Sequence, residues 1–247
     1  MSNSLEKQVD DFFLIMEGLI QSADSITSSQ YESNYKKLAL FSLLDMLSKG
    51  VYGTKYKQHR PKFTDFISDF CEWEYKNHIS LQQLIFVLEK DTSPQLNTLR
   101  EYAKDRLNHW PKNRAISLQY DPRYEEICEM WPQGYKSNGK ITLDFLTHVN
   151  LFYSLRNSLV HEFRPKGYDY HYFDETEPYY TSRGEIKRDE NGKVVAIPHV
   201  AYELIHPVEF HIRLIRSAIT HSKLYCLENE INPYDNFKTT SIWLEMD

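Results

Sequence analysis

Arg156, Asn157 and His161 fall within six residues on a stretch, 142–164, that reads as one helix ended by Pro165. On a helical wheel of about 100° per residue, with Arg156 at zero, Phe145, Val149, Phe152, Tyr153, Leu155, Leu159, Val160 and Phe163 share one arc. Thr147, Asn150, Ser154, Asn157, Ser158 and His161 take the polar side. Arg156 therefore sits inside the apolar arc. A guanidinium cannot shed its charge, so placing it there is costly unless an anion or dense hydrogen bonding compensates. Asn157 and His161 lie one turn apart on the adjoining face. A cation, an amide and an imidazole in one sector can hold a phosphate and move a proton beside it.

Two other Arg–His pairs have similar spacing but lack this context. Arg164 and His171 straddle Pro165, and Arg216 and His221 violate no clean apolar arc. Just past His161, Arg164 and Lys166 are placed to hold flanking phosphates. The run Tyr168–Tyr180 is rich in rings but carries Asp169, Asp174, Glu175 and Glu177 against no Lys or Arg. It is expected to pack its rings on helices rather than stack bases, because phosphates would be repelled. His199, His206, His211 and His221 contain no i,i+4 pair, and Cys71, Cys128 and Cys226 form no C-x-x-C. Neither a metal site nor any other cofactor is expected.

The elements that must position these residues are mostly helical, since the chain has only 8 Gly and 10 Pro in 247 residues. Apolar periodicity predicts helices across 4–108: one from Leu5, one nearly apolar all round over Tyr35–Leu47, and further ones after Pro61, from Leu81 and after Pro94. Residues 109–140 read as an irregular connector. The motif helix follows at 142–164, and a β-hairpin insert at 167–200 turns at Asp189-Glu-Asn-Gly192. A last helix over 206–229 and a tail complete a single helical domain, all-α but for the hairpin.

Charge narrows the partners. With 29 basic against 35 acidic side chains, the protein is not built to coat nucleic acid by bulk electrostatics. The acid excess is concentrated in 167–247, which carries 8 basic and 14 acidic groups, so any RNA contact is expected to be local. No signal-peptide pattern and no long apolar run are present, which makes a cytoplasmic protein without membrane contact the expectation.

Leu155-Arg-Asn-Ser-Leu-Val-His-Glu-Phe-Arg164 resembles the motif of the HEPN superfamily: Arg, a polar residue, then His after four to six positions. The order of elements is similar too, with an apolar early helix, the motif helix and a closing helix that ends in Asn232-Pro233. The resemblance covers about 30–165 and 200–235 and implies a HEPN-like helical bundle. It implies metal-independent RNA cleavage, usually at a composite site where two motif helices meet across a homodimer. By position, Arg156 would stabilise the scissile phosphate, His161 would serve as acid and base around 2′-OH attack, and Asn157 would orient the phosphate or the histidine. Toxin–antitoxin, phage-defence or RNA-stress biology is implied, with tRNA or mRNA as substrate and an antitoxin or defence protein as partner. Many family toxins have Tyr two residues after the His, where this chain has Phe163, so neutralisation by modifying that hydroxyl is not expected. The alternative, also found in the family, is a non-catalytic helical interaction or scaffold module.

Overall fold

The computed structural model describes residues 4–27, 30–112, 114–167, 173–188 and 194–237, and side chains among these outside 183–201. By internal contacts the chain divides into two compact units, one formed by Met1–Glu72 with His211–Asp247 and the other by Trp73–Phe210.

In the first unit, Ser4 caps α1 (Leu5–Asp24) by accepting from the Lys7 amide. Val9, Phe12, Phe13, Met16 and Ile20 recur at helical spacing and are buried. Helix α2 (Glu32–Tyr52) buries Leu40, Phe41, Leu43, Leu44, Leu47 and Val51, so its near-continuous apolar surface is a core helix, as the pattern predicts. Gly50 on α2 lets two neighbours approach: a Cβ there would meet the Phe12 ring at 2.9 Å and Pro233 at 3.3 Å. Helix α3 (His59–Phe70) carries Pro61 in its first turn, where the missing N–H has no intrahelical role. It turns Phe63, Phe66, Ile67 and Phe70 inward. Where the chain leaves this unit, Ser217 accepts from the Glu72 amide at 2.9 Å and Arg213 donates to the Glu72 carbonyl at 2.8 Å.

The second unit comprises α4 (Leu81–Lys90), α5 (Asn97–Asn108), β1 (Ile116–Ser117), α6 (Tyr124–Cys128), α7 (His148–Glu162), β2 (Tyr179–Arg188) and β3 (Val194–Ile205). The strands form one antiparallel sheet in the order β1-β2-β3, with Ile116 opposite Tyr180, Tyr179 opposite Ile205 and a register shift at Gly184/Glu185. The sheet is larger than the expected hairpin. Part of the 109–140 connector supplies its third strand, and β3 runs on to Ile205 rather than stopping near 200. The expected turn at Asp189–Gly192 and the tyrosines at 168–172 lie outside the described residues. Tyr179 and Tyr180 are buried, and the Tyr180 ring packs 4.7 Å from Trp110. Helix α8 (Val208–Glu228) begins in this unit and continues into the first.

The chain is thus mainly α-helical with a small sheet. Among the described residues no helix is long and apolar enough to cross a membrane.

Candidate active site

The motif helix is shorter than its apolar periodicity predicts. Residues Leu143–Leu146 form a 3-10 turn, Thr147 is extended (ψ 148°), and α7 begins only at His148. The break has a non-local cause. The amides of His148 and Val149 donate to the carbonyls of His78 and Lys76, and Ser80 N–H donates to Leu146 O at 2.9 Å. The start of the helix is therefore held by segment 76–80, and its first free amides are satisfied there.

At the other end, Phe163 adopts a left-handed conformation (φ 51°, ψ 32°), and its amide donates to Leu159 O. This residue ends the helix just before Pro165, the expected terminator. The chain turns away immediately after His161, and Arg164 and Lys166 stand exposed in that turn. Beyond them, Gly167 has φ +80°, and a Cβ there would overlap the buried Glu203 carboxylate. Only glycine fits both constraints.

Within α7, Leu155 and Leu159 are buried, whereas Arg156 and Asn157 are half-buried and His161 is exposed. The Arg156 guanidinium donates through Nη1 to Asn157 Oδ1 at 3.0 Å. Arg156 and Asn157 are thus brought together. His161 is on the same helix in its last turn, and no hydrogen bond joins it to either one among the described residues. The group places on one element a cation held by its neighbour, an amide beside it and a solvent-exposed imidazole, a set that can bind an anion and transfer a proton.

The second unit holds another acid–base set, which the sequence pattern does not single out. His148 and Asp121 are fully buried, with His148 Nε2 2.7 Å from Asp121 Oδ2. A carboxylate only accepts, so Nε2 carries the proton. Tyr180 donates to the same Asp121 oxygen at 2.7 Å, and the Leu81 amide donates to Oδ1 at 2.9 Å. Tyr180 has one proton to give, so its 2.8 Å contact with Ser80 Oγ has the serine as donor. Burial, and then the Asp121 charge, hold the Tyr180 hydroxyl well above its usual range, so it remains a donor. His148 Nδ1, by contrast, is buried with no hydrogen-bond partner among the described residues.

This set joins the first residue of α7 to the N-terminus of α4, to β2 and to the 121 loop. It lies eight residues, about 12 Å along the helix, from Arg156. Sealed from solvent, it cannot meet a polymer; it sets where α7 begins. The wheel does contain a sign of it, because His148 also falls within the apolar arc, about 50° from its centre. Among the described residues, no group of three or more His, Cys, Asp or Glu is arranged to hold a metal ion.

No known family, no curated protein and no solved structure matches this chain.

Proposed function

We propose that the chain is a metal-independent endoribonuclease of HEPN type, acting through Arg156, Asn157 and His161. The observation that carries this reading is the half-buried Arg156 held against Asn157, with His161 exposed on the same helix end. The competing acid–base pair, Asp121–His148, is fully buried, which leaves His161 as the imidazole of α7 that RNA can reach. In the reaction, a base takes the ribose 2′-OH proton and O2′ attacks the adjacent phosphorus. The P–O5′ bond breaks, and an acid protonates the departing 5′ oxygen. The products are a 2′,3′-cyclic phosphate and a 5′-OH. Arg156 meets the charge that grows on the non-bridging oxygens, and Asn157 fixes the guanidinium's direction.

One motif helix offers one imidazole, whereas the reaction needs a base and an acid. A second copy of the chain would supply the other, so the active species is a homodimer with a composite site. Arg164 and Lys166 bind flanking phosphates of a tRNA or mRNA substrate. The biological setting is toxin–antitoxin, phage-defence or RNA-stress response, with an antitoxin or defence protein as partner. A second reading, a non-catalytic helical scaffold, draws on one observation: the Arg156 guanidinium already has a protein acceptor in Asn157.

Purified protein incubated with tRNA and mixed RNA in EDTA separates the two. Wild type should produce cyclic-phosphate ends, and Arg156→Ala and His161→Ala should each lower the rate about 100-fold or more while circular dichroism stays unchanged. Cleavage that needs an added divalent ion, or that survives His161→Ala, removes the nuclease reading.

A further inference from the structure

The sixty-residue stretch 51–110 carries 9 basic and 8 acidic side chains, and that near-balance conceals its most asymmetric part. From Met46 to Thr64 there is no Asp or Glu, whereas Lys49, Lys55, Lys57, Arg60 and Lys62 all fall there, with His59 among them. The segment spans the end of α2, the turn after it and the first turn of α3, all within the first unit.

Local hydrogen bonds fix this turn. Gly53, at φ +55°, donates to Lys49 O at 2.8 Å, and Lys55 N–H donates to Tyr52 O at 3.0 Å. Tyr56 donates to Asp65 at 2.7 Å and Tyr52 donates to Asp69 at 2.5 Å. The carboxylates of Asp65 and Asp69 are thereby turned toward tyrosine hydroxyls. The Asp65 bond, with some burial and the Asp65 charge, pushes the Tyr56 hydroxyl up to about 12, so it stays a donor. Lys55 lies over both rings, 4.9 Å from Tyr52 and 5.2 Å from Tyr56, and takes up one face of each that a base would otherwise stack on. Lys57 and His59 are exposed, Lys62 is half-buried, and among the described residues no ion pair engages any of the three. The first turn of α3 contains no acidic residue, so the chain places cations where a helix ordinarily prefers anions.

We propose that this basic turn is a docking surface for the phosphate backbone of single-stranded RNA. The proposal rests on the RNA-cleaving reading for the identity of the polyanion. Three features specify the ligand chemistry. The cations are concentrated in an otherwise acidic chain, which matches a line of phosphates. The exposed side chains of the turn, from Thr54 to His59, are all polar, and nothing apolar projects to enter a bilayer. The tyrosine rings are occupied, so contact is through phosphates and carries no base preference. Because the turn is held in place, little ordering cost is added on binding.

The test uses full-length His161→Ala protein, which leaves the probe intact, and a fluorescein-labelled oligouridine read by anisotropy over a salt series. Lys57→Gln/Lys62→Gln in that background should bind about tenfold more weakly or worse, with the salt slope shallower by about 1.4, or about 0.7 for each phosphate left without its lysine. Lys57→Arg/Lys62→Arg should bind like the parent, and an oligocytidine should bind like oligouridine. Equal affinity and slope for the Gln variant and the parent overturn the proposal, as does a parent that binds phosphatidylserine vesicles but no oligonucleotide. Wild-type cleavage, measured in parallel, keeps the two readings apart. Cleavage with an unchanged Gln variant removes the surface alone, whereas Lys-dependent binding without cleavage removes the catalytic reading alone.

Discussion

Replacing Asp121 tests what holds the motif helix at its starting point. The carboxylate accepts from Leu81 N–H, Tyr180 and His148 at 2.9, 2.7 and 2.7 Å, and the histidine and aspartate side chains are fully buried. In Asp121→Ala, three buried donors lose their acceptor. Each orphaned group costs about 1–3 kcal/mol, and water entering the vacated space relieves part of the total, so the expected loss is about 4 kcal/mol. Asp121→Asn should cost less, about 2 kcal/mol. Its Oδ1 still serves Leu81, and Tyr180 can reverse to accept from the amide. His148, however, must move its proton to Nδ1, which has no partner among the described residues to receive it. Tyr180→Phe removes the bonds to both Asp121 and Ser80 and should cost about 2 kcal/mol in the wild type, but about half of that once Asp121 is alanine, because only the Ser80 bond is then left to lose. Urea unfolding followed by tryptophan fluorescence reads this directly. Trp110 packs on Tyr180 and Trp73 packs 6.3 Å from His148, both in the unit concerned. A loss below about 1 kcal/mol for Asp121→Ala, or strict additivity with Tyr180→Phe, would show that the carboxylate does not organise this region.

His78 and Gly167 bear on the two ends of the same helix. Burial, followed by the neighbouring His148, holds His78 below its ordinary 6.5. Above that pH the folded and unfolded states are both neutral there; as pH falls through 6.5 the unfolded state takes up the proton first, and stability is lost until the folded pKa is passed. The urea midpoint should therefore drop between about pH 7.5 and 5.5, and His78→Gln should flatten that drop; an unchanged slope counts against the assignment. Gly167→Ala should cost about 2 kcal/mol, because it must hold a positive φ and displace the Glu203 carboxylate. A thermal midpoint equal to wild type would mean that the turn after Lys166 rearranges freely.

Periodicity locates most of the helices because their cause is local. Val9, Phe12, Phe13, Met16 and Ile20 repeat at helical spacing, and the structure buries them along α1. The same rule overruns the start of α7. Phe145 and Leu146 continue the apolar pattern, but the break at Thr147 is made by hydrogen bonds to residues 76–80, some seventy positions earlier. Distance also hides the Asp121 set, whose members bond across 27, 40 and 59 positions. Arg156 and Asn157 are legible because a charge on an apolar arc is a local contradiction. The basic turn at 55–62 is hidden for the opposite reason: acidic residues further along the chain cancel it in any charge sum over a wide stretch.

The chain leaves the first unit at Glu72 and does not return to it until His211. In that unit Arg213 and Ser217 grip Glu72, and in the other the ring of Trp73 meets that of Phe210 at 4.9 Å. Each unit thus closes over its own junction, the arrangement of one folding body inserted within another. For a protein made from its N-terminus, this dictates an order of assembly. Helices α1 to α3 precede all of 73–210 in the chain, and Pro233, which lies close against Gly50, follows only after it. The segment bearing Arg156 and His161 therefore leaves the ribosome ahead of the second half of its host, which begins only at His211.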